Sequence, residues 1–184
     1  MPELPEVETI KNQLNKKVEN AKILDVTYSD VIGSIIKNEF PNLVEKTITK
    51  FERYSKVLLI HINNTHVIQS GLGMSGSWRL WNEIENVPHT HMTIKCKLNN
   101  KKIVYLAYVD PRRFGKMHFF TNNEWLKRKR SMGVDVSSDE FTLDYLEYCL
   151  KKHPHRQLKP YLLDQKFFGG VGNYIACEIC ARAG

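Results

Sequence analysis

The chain has 184 residues, 42% of them hydrophobic and 26% charged, a globular composition with length for one ordinary domain or two small ones. Lys and Arg outnumber Asp and Glu by 27 to 20, a formal charge of +7 with a pI of about 9.2. That balance favours anionic partners: nucleic acid, an anionic membrane surface or an acidic protein. The opening residues are acidic and no stretch reaches the ~20 apolar residues of a bilayer span, so neither a secretory signal nor a membrane helix is expected. Cys96, Cys149, Cys177 and Cys180 then read as reduced thiols of an intracellular protein.

The chain opens MPELPEVET. Val7, Ile10, Leu14 and Val18 recur at helical spacing, which predicts an amphipathic helix over about 5–18. Pro5 suits its first turn, and Glu6 and Glu8 suit the positive end of its dipole. From about 21 to 120 the pattern turns to short β-branched and aromatic runs: AKILDVTYSD, TITKFERYSK, VLLIHI, THVIQS, GSWRLW, HMTIKCKL, KIVYLAYV and KMHFF. Asn-Asn, Gly and Pro punctuate them, a pattern that suggests a sandwich or barrel. Residues 121–136 carry the run Lys127-Arg128-Lys129-Arg130 and read as a linker. Helical periodicity resumes near 139, with Phe141, Leu143, Leu146 and Leu150 in one helix bounded by Pro154. Lys159 to Gln165 suggests a second helix. The turn FFGGVGN leads into a third, YIACEICARA. The expected organisation is a β-rich unit with an N-terminal helix over 1–125, a linker over 126–136 and an all-α unit over 137–184.

Four stretches can carry chemistry. Removal of Met1 would leave Pro2 with a free secondary amine. An α-amino group titrates near pKa ~8, so a fraction is neutral near pH 7 and can attack an aldehyde-like carbon to form an iminium. Glu3 and Glu6 would lie beside it to shuttle protons. The alternative is that these residues only start a helix. GLGMSGSW (71–78) places Met74 among three glycines, the mark of a tight turn or a close backbone approach. It lacks the spacing of a phosphate loop and is equally a hairpin turn. DPRRFG (110–115) offers paired arginines and an aromatic that can enter stacked bases or meet phosphates, or form a solvated turn. LLDQKFFGGVGNYIACE (162–178) sets glycines before a helix start, where N–H groups attract phosphate. Asn173 can cap that helix, and Lys159 and Lys166 lie close in sequence. Cys177-x-x-Cys180 lies in a predicted helix without a second pair, and His89-x-His91 on a predicted strand lacks partners, so neither reads as a metal site.

Taken together, MPELPEVET, Lys56 in RYSKVLL, GLGMSG, DPRRFG and GVGNY resemble the formamidopyrimidine-DNA glycosylase/endonuclease VIII family of base-excision repair enzymes, from Met1 to Gly184. LLDQKFF looks closer to the endonuclease VIII-like 1 and plant branches. The resemblance implies an α+β fold: an N-terminal β-sandwich with an N-terminal helix, followed by an all-α helix–two-turn–helix DNA-binding module. It implies a monomeric bifunctional glycosylase and AP lyase acting on oxidised bases in duplex or single-stranded DNA, through a Schiff base at the terminal proline. It implies no metal or organic cofactor. A damaged-DNA-binding module that does not cut is the alternative function, and a small-molecule enzyme using its N-terminal proline is a third. By resemblance Pro2 is the nucleophile, Glu3 the general acid, Glu6 a further acid near the site, and Lys56 a contact to the lesion's sugar-phosphate. Met74, Arg112 and Phe114 fill the void left by the flipped base. Asn173 and Lys159 bind phosphate, and His89 joins the DNA-contacting set. Two departures stand out: Gly71 occupies the place where bacterial members often carry His, and the family's C-terminal finger has no counterpart. The sequence therefore reads as a piece of a longer protein, or as a form that binds DNA weakly.

Overall fold

The structure, a computed structural model, describes residues 2–184. Helix α1 (Leu4–Val18) opens the chain. Eight strands follow: β1 (Ala21–Tyr28), β2 (Thr47–Tyr54), β3 (Val57–Ile62), β4 (His66–Gly71), β5 (Ser77–Trp81), β6 (Thr90–Lys97), β7 (Ile103–Val109) and β8 (Lys116–Thr121). Each lies within about two residues of the run that predicted it. The fold is α+β, as expected. The eight strands make one antiparallel sheet in the order β5-β7-β6-β1-β2-β3-β4-β8.

That sheet cannot be flat. Residues 72–76 join β4 to β5, six strands apart in the sheet. Six strand spacings are about 29 Å, whereas so short a link reaches only about 20 Å. The bend has an evident place: β1 and β2 share only the pairs Ala21↔Ile48 and Lys22↔Thr47 before β1 continues along β6. The main core fills the fold, with Ile23, Ile48, Phe51, Leu58, Ile60, Ile68, Ile94, Leu106, Tyr108 and Met117 buried together. Val7, Leu14 and Val18 of α1 join them. Asn15 fixes the helix to β2, since its Nδ2 donates to Phe51 O and its Oδ1 accepts from Phe51 N, both at 2.7 Å.

The segment expected to act as a linker holds a helix, α2 (Asn122–Arg130). Its start is a capping box: Glu124 N donates to Thr121 Oγ1 at 3.3 Å, and Thr121 N donates to Glu124 Oε2 at 2.7 Å. Trp125 anchors it in a small cluster with Tyr54, Leu59 and Val67. The basic run occupies its last turn, where cations complement the dipole.

Beyond it lie β9 (Val134–Asp135), α3 (Leu143–Lys152), α4 (Leu158–Leu162), β10 (Phe168–Gly169) and α5 (Asn173–Ala183). Strands β9 and β10 pair in parallel. A second core of Cys149, Tyr161, Leu162, Phe168, Val171 and Ala176 holds these helices together. Helix α4 ends sooner than the sequence suggested, because Asp164 turns the chain by accepting from Lys166 N at 3.1 Å and from Arg156 at 3.0 Å.

An ion-pair network ties the helical unit to the sheet. Arg53 donates to Glu8 Oε2 at 2.9 Å, to Asp135 Oδ2 at 2.5 Å, to Ser55 O at 2.7 Å and to Ser137 Oγ at 2.5 Å. Asp135 also accepts from Ser55 N at 2.6 Å. The Arg53 and Asp135 side chains are only 9% and 4% exposed. Tyr54 adds a hydrogen bond from its hydroxyl to Gly133 O at 2.9 Å.

Candidate active site

Three segments distant in sequence meet at the start of α1. Glu3 precedes the helix, and its own N–H donates to Glu6 Oε2 at 3.0 Å. Glu6 therefore faces the backbone as a cap, a structural task. The Glu3 side chain completes a capping box at the start of α1 and also reaches α5. Its Oε1 accepts from the N–H of Tyr174, in the first turn of α5, at 3.0 Å. Oε2 is buried without a partner. A carboxylate at a helix N-terminus gains from the exposed N–H groups and the dipole together. Asn173 was expected to cap α5. Instead the cap position is Gly172, Asn173 is the first helical residue, and the N–H acceptor arrives from the other end of the chain. A Cβ on Gly172 would overlap the Glu3 carboxylate, so only glycine admits this approach.

Lys56 lies in the turn between β2 and β3, and its Nζ donates to Val171 O at 3.1 Å. Burial pulls its pKa below the ordinary value of 10.5, while the nearby Glu3 charge pulls the other way. Gln165, which sequence reasoning did not single out, organises the partner loop. Its Nε2 donates to Val171 O at 2.8 Å and Leu163 O at 3.0 Å. Its Oε1 accepts from Gly170 N at 3.1 Å and Ser55 Oγ at 3.2 Å. One amide thereby joins the residue before Lys56 to the carbonyl that holds Lys56. Gly170 has a φ of +99°, and a Cβ there would meet Leu4 Cδ1 at 2.6 Å. Pro2, half-buried, directly precedes Glu3 at this junction. The expected removal of Met1 concerns a residue outside those described.

A second constellation stands one strand further along. Gly71, opposite Val57 across β3 and β4, leads into the loop 72–76, which packs on the loop 110–115. Gly73 has a φ of +61°, and a Cβ there would meet the Phe114 carbonyl carbon at 2.6 Å. Ser75 Oγ donates to Asp110 Oδ1 at 2.6 Å and accepts from Arg112 N at 3.2 Å. Asp110 Oδ2 accepts from Gly115 N at 2.8 Å. His91 bonds the Asp110 carbonyl at 2.9 Å and Ser29 Oγ at 3.0 Å. This buried scaffold holds up three exposed side chains, Met74, Arg112 and Phe114, with the Arg112 guanidinium 4.7 Å from the Phe114 ring centroid. Large apolar side chains standing in solvent on a rigid base suit insertion into a ligand.

Two predicted contacts bring no side chain into these groups, although the His89 carbonyl accepts from Asp110 N at 3.0 Å. His89 was read as a strand residue sharing a face with His91. It sits instead in the turn before β6, exposed, with a φ of +66°. His91 is buried in the Asp110 scaffold, and the two do not form a pair. Lys159 is exposed on α4. Among the described residues no cluster of three or more His, Cys, Asp or Glu could hold a metal ion.

A family model for the formamidopyrimidine-DNA glycosylase N-terminal domain matches residues 1–117. This chain belongs to that family. The formamidopyrimidine-DNA glycosylase of Bartonella quintana (strain Toulouse) is 33% identical over 199 residues, covering 100% of this chain and 67% of that protein. The Bacillus licheniformis enzyme of the same name is 37% identical over 191 residues, with the same shares covered. Among solved structures, a complex between the Lactococcus lactis glycosylase and DNA containing an abasic site aligns with a TM-score of 0.83 and 28% identity, covering 96% of this chain and 65% of that one. A mutant of the same enzyme with DNA containing Fapy-dG gives a TM-score of 0.84. This chain thus spans about two thirds of the length of the family members it matches. The structural likeness extends past the N-terminal domain and takes in the helices beyond β8, since it covers nearly the whole chain.

Proposed function

We propose that this chain is the base-excising and strand-cutting part of a DNA glycosylase with AP lyase activity for oxidised bases, and that its site works through the nitrogen of Pro2. The observation that carries the reading is the Glu3 carboxylate. It follows Pro2 directly, is held at one oxygen by the N-terminus of α5, and keeps its other oxygen buried and unpaired within reach of the Lys56 charge. A carboxylate so placed can take and return a proton next to an amine nucleophile.

In this reading the damaged nucleotide leaves the stack, and Met74, Arg112 and Phe114 occupy the gap. The Pro2 nitrogen attacks C1′, the bond from C1′ to the base breaks, and the base leaves with a proton. Glu3 protonates the ring oxygen, so the sugar opens and the C1′–N bond becomes an iminium. Loss of a C2′ proton then expels the 3′ phosphate, and a second elimination expels the 5′ phosphate. Lys56 supplies positive charge for a flanking phosphate. Glu6 supports this site only through the Glu3 backbone. Asn173 and Lys159 serve as phosphate contacts of a helix–two-turn–helix formed by α4, the glycine turn and α5. His89 serves from the turn that buttresses Asp110. The bent sheet acts as the sandwich domain, and the protein works as a monomer on duplex DNA without a cofactor.

The test is borohydride trapping on a duplex bearing one abasic site. The amine should be captured as a stable covalent adduct, and Pro2→Gly should reduce its yield by orders of magnitude. If the chain binds that duplex without forming an adduct, and the Pro2→Gly variant binds equally well, the protein is a damage-recognition module and the catalytic reading fails.

A further inference from the structure

Residues Ile35 to Asn38 run along the outer edge of β8. Met117 N donates to Ile35 O and Lys37 N to Met117 O, both at 2.9 Å. Asn38 closes the pairing through its side chain, which donates to Phe119 O at 2.6 Å and accepts from Phe119 N at 2.9 Å. This pairing fixes where Lys37 and Lys116 emerge, and they emerge together. Lys37 Nζ donates to Ser34 O at 2.7 Å, and Lys116 Nζ donates to the same carbonyl at 3.2 Å.

Two ammonium groups on one carbonyl oxygen repel each other. Neither forms an ion pair with a carboxylate among the described residues. Nearby, His118 lies two residues along β8, so it shares a face with Lys116. Its Nδ1 is buried without a partner. Burial and then the charges of Arg128 and Lys37 hold its pKa below the ordinary value. Four cationic or potentially cationic groups therefore gather at one place, and both facing elements, the 35–38 segment and α2, bring like charge to it. Positive charge concentrated without a counter-charge is the usual footprint of an anion site.

Its position says which anion. Lys116 is paired with Gly71, the residue that leads into the Met74 loop, and stands two residues after Phe114. Gly71 contributes no side chain of its own. A Cβ there would meet only ordinary contacts, Lys116 O at 3.6 Å and Val57 Cγ1 at 3.8 Å. No side chain therefore rises at this position between Val57 and Lys116. Lys116 lies two strands from Val57, about 10 Å across the sheet.

We infer that Lys37 and Lys116 form a second phosphate subsite that clamps one backbone phosphate of nucleic acid beside the Met74, Arg112 and Phe114 loops, with Arg128 and His118 behind it. This rests on the DNA reading above and adds to it a contact on the far side of the wedge from Lys56. The ligand is a backbone phosphodiester because the pair adjoins the loops that enter the duplex.

Fluorescence anisotropy on a duplex bearing a stable abasic analogue tests it, with affinity followed as a function of salt. One phosphate neutralised contributes a slope of about 0.9 in log affinity against log salt. The double variant Lys37→Gln/Lys116→Gln should reduce the slope by about that amount. A control with the same charge change, Lys16→Gln/Lys102→Gln, lies at the opposite end of α1, about 20 Å from Glu3 along the helix, and should leave the slope unaltered. In a scan of single methylphosphonate replacements, one position should weaken binding to the unsubstituted chain and leave the double variant unaffected. Thermal melting separates folding from binding, since removing two repelling charges should leave the melting temperature equal or higher. If the unsubstituted chain binds in a salt-dependent way and the double variant keeps its slope, the subsite is refuted while the reading of the active site stands. If the unsubstituted chain shows no such binding, both fall.

Discussion

Replacing Gly172 by alanine tests the tie between the two ends of the chain. Gly172 has a φ of −107°, an ordinary extended value, so alanine brings no backbone strain. On its own the change should stabilise by about 0.4–1 kcal/mol through the unfolded chain. The added methyl, however, overlaps the Glu3 carboxylate. Glu3 must withdraw, and its bond to Tyr174 N at 3.0 Å breaks. A hydrogen bond to a charged group is worth about 1.5–3 kcal/mol, and the low end applies because Tyr174 is 70% exposed. Loss of the helix-dipole interaction adds about 0.3–1 kcal/mol. The net expectation is a destabilisation of about 1–2 kcal/mol. For a chain of this length that lowers the melting temperature by about 2–8 °C. Differential scanning calorimetry measures this, and borohydride trapping on the same samples should show the adduct forming more slowly. A melting temperature that rises, with trapping unaltered, would refute the argument that Glu3 caps α5.

Three further predictions follow from the same geometry. Asp135→Asn leaves the nearly buried Arg53 with Glu8 as its remaining carboxylate and should cost about 1.5–3 kcal/mol, read by urea denaturation, with the helical unit becoming more open to protease; equal midpoints for the two proteins would contradict it. Gly73→Ala meets both a positive φ and the Phe114 backbone, so it should cost about 1–3 kcal/mol and weaken duplex binding more than it lowers the melting temperature, since it displaces the loops that carry Met74 and Phe114. Glu52, whose hydrogen bond from His61 at 2.8 Å and contact with Lys50 lower its pKa to about 2 against the ordinary 4.5, favours the folded state above pH 4.5. That contribution should fade as the pH falls from about 4.5 to about 2, and Glu52→Gln should flatten this part of the acid-denaturation curve; an unaltered curve would show that the exposed group carries no stability.

Elements set by local pattern were the most legible in the sequence. VLLIHI and YIACEICARA were read with little error, because alternation, helical spacing and flanking turn residues act within a few positions. Helix α2 was missed although Thr121 and Glu124 hold the spacing of a capping box. Only Trp125 and Leu126 are large and apolar there, so no periodicity announced it, and the basic run drew the reading toward a solvated link. The wrong cap for α5 has a different cause. Asn173 is a good capping residue by type, but Glu3 takes the N–H of Tyr174, 171 positions away. No window along the chain contains both. The roles of Gln165 and Asp135 were hidden for the same reason, since Gln165 meets Ser55, 110 positions away, and Asp135 meets Ser55 and Arg53, 80 and 82 positions away.

The site residues proposed from resemblance fall into groups that the fold separates. Glu3 and Lys56 converge through the glycine turn at 170–172, with Pro2 next to Glu3 in the chain, while Met74, Arg112 and Phe114 converge through Ser75 and Asp110. Each group is held by buried polar atoms that do no chemistry themselves. This division has a physical reason. A nucleophile at a chain end would fray with the terminus, and ordering costs entropy for each residue fixed. Here Glu6 fixes the backbone of Glu3, α5 fixes its side chain, and Gln165 fixes the loop that meets Lys56. In the proposed reading, the Pro2 nitrogen adjoins a residue, Glu3, that is tethered at both its backbone and its side chain. Under the proposed function, Met74, Arg112 and Phe114 need the opposite treatment, and they are exposed tips on a rigid base. The acid in each group shows the contrast. Glu3 keeps one buried oxygen unpaired and so able to exchange a proton, whereas both oxygens of Asp110 are committed to Ser75, Gly115 and Tyr108. A carboxylate with every acceptor filled can only hold a loop in place; one left open beside an amine can take part in a reaction.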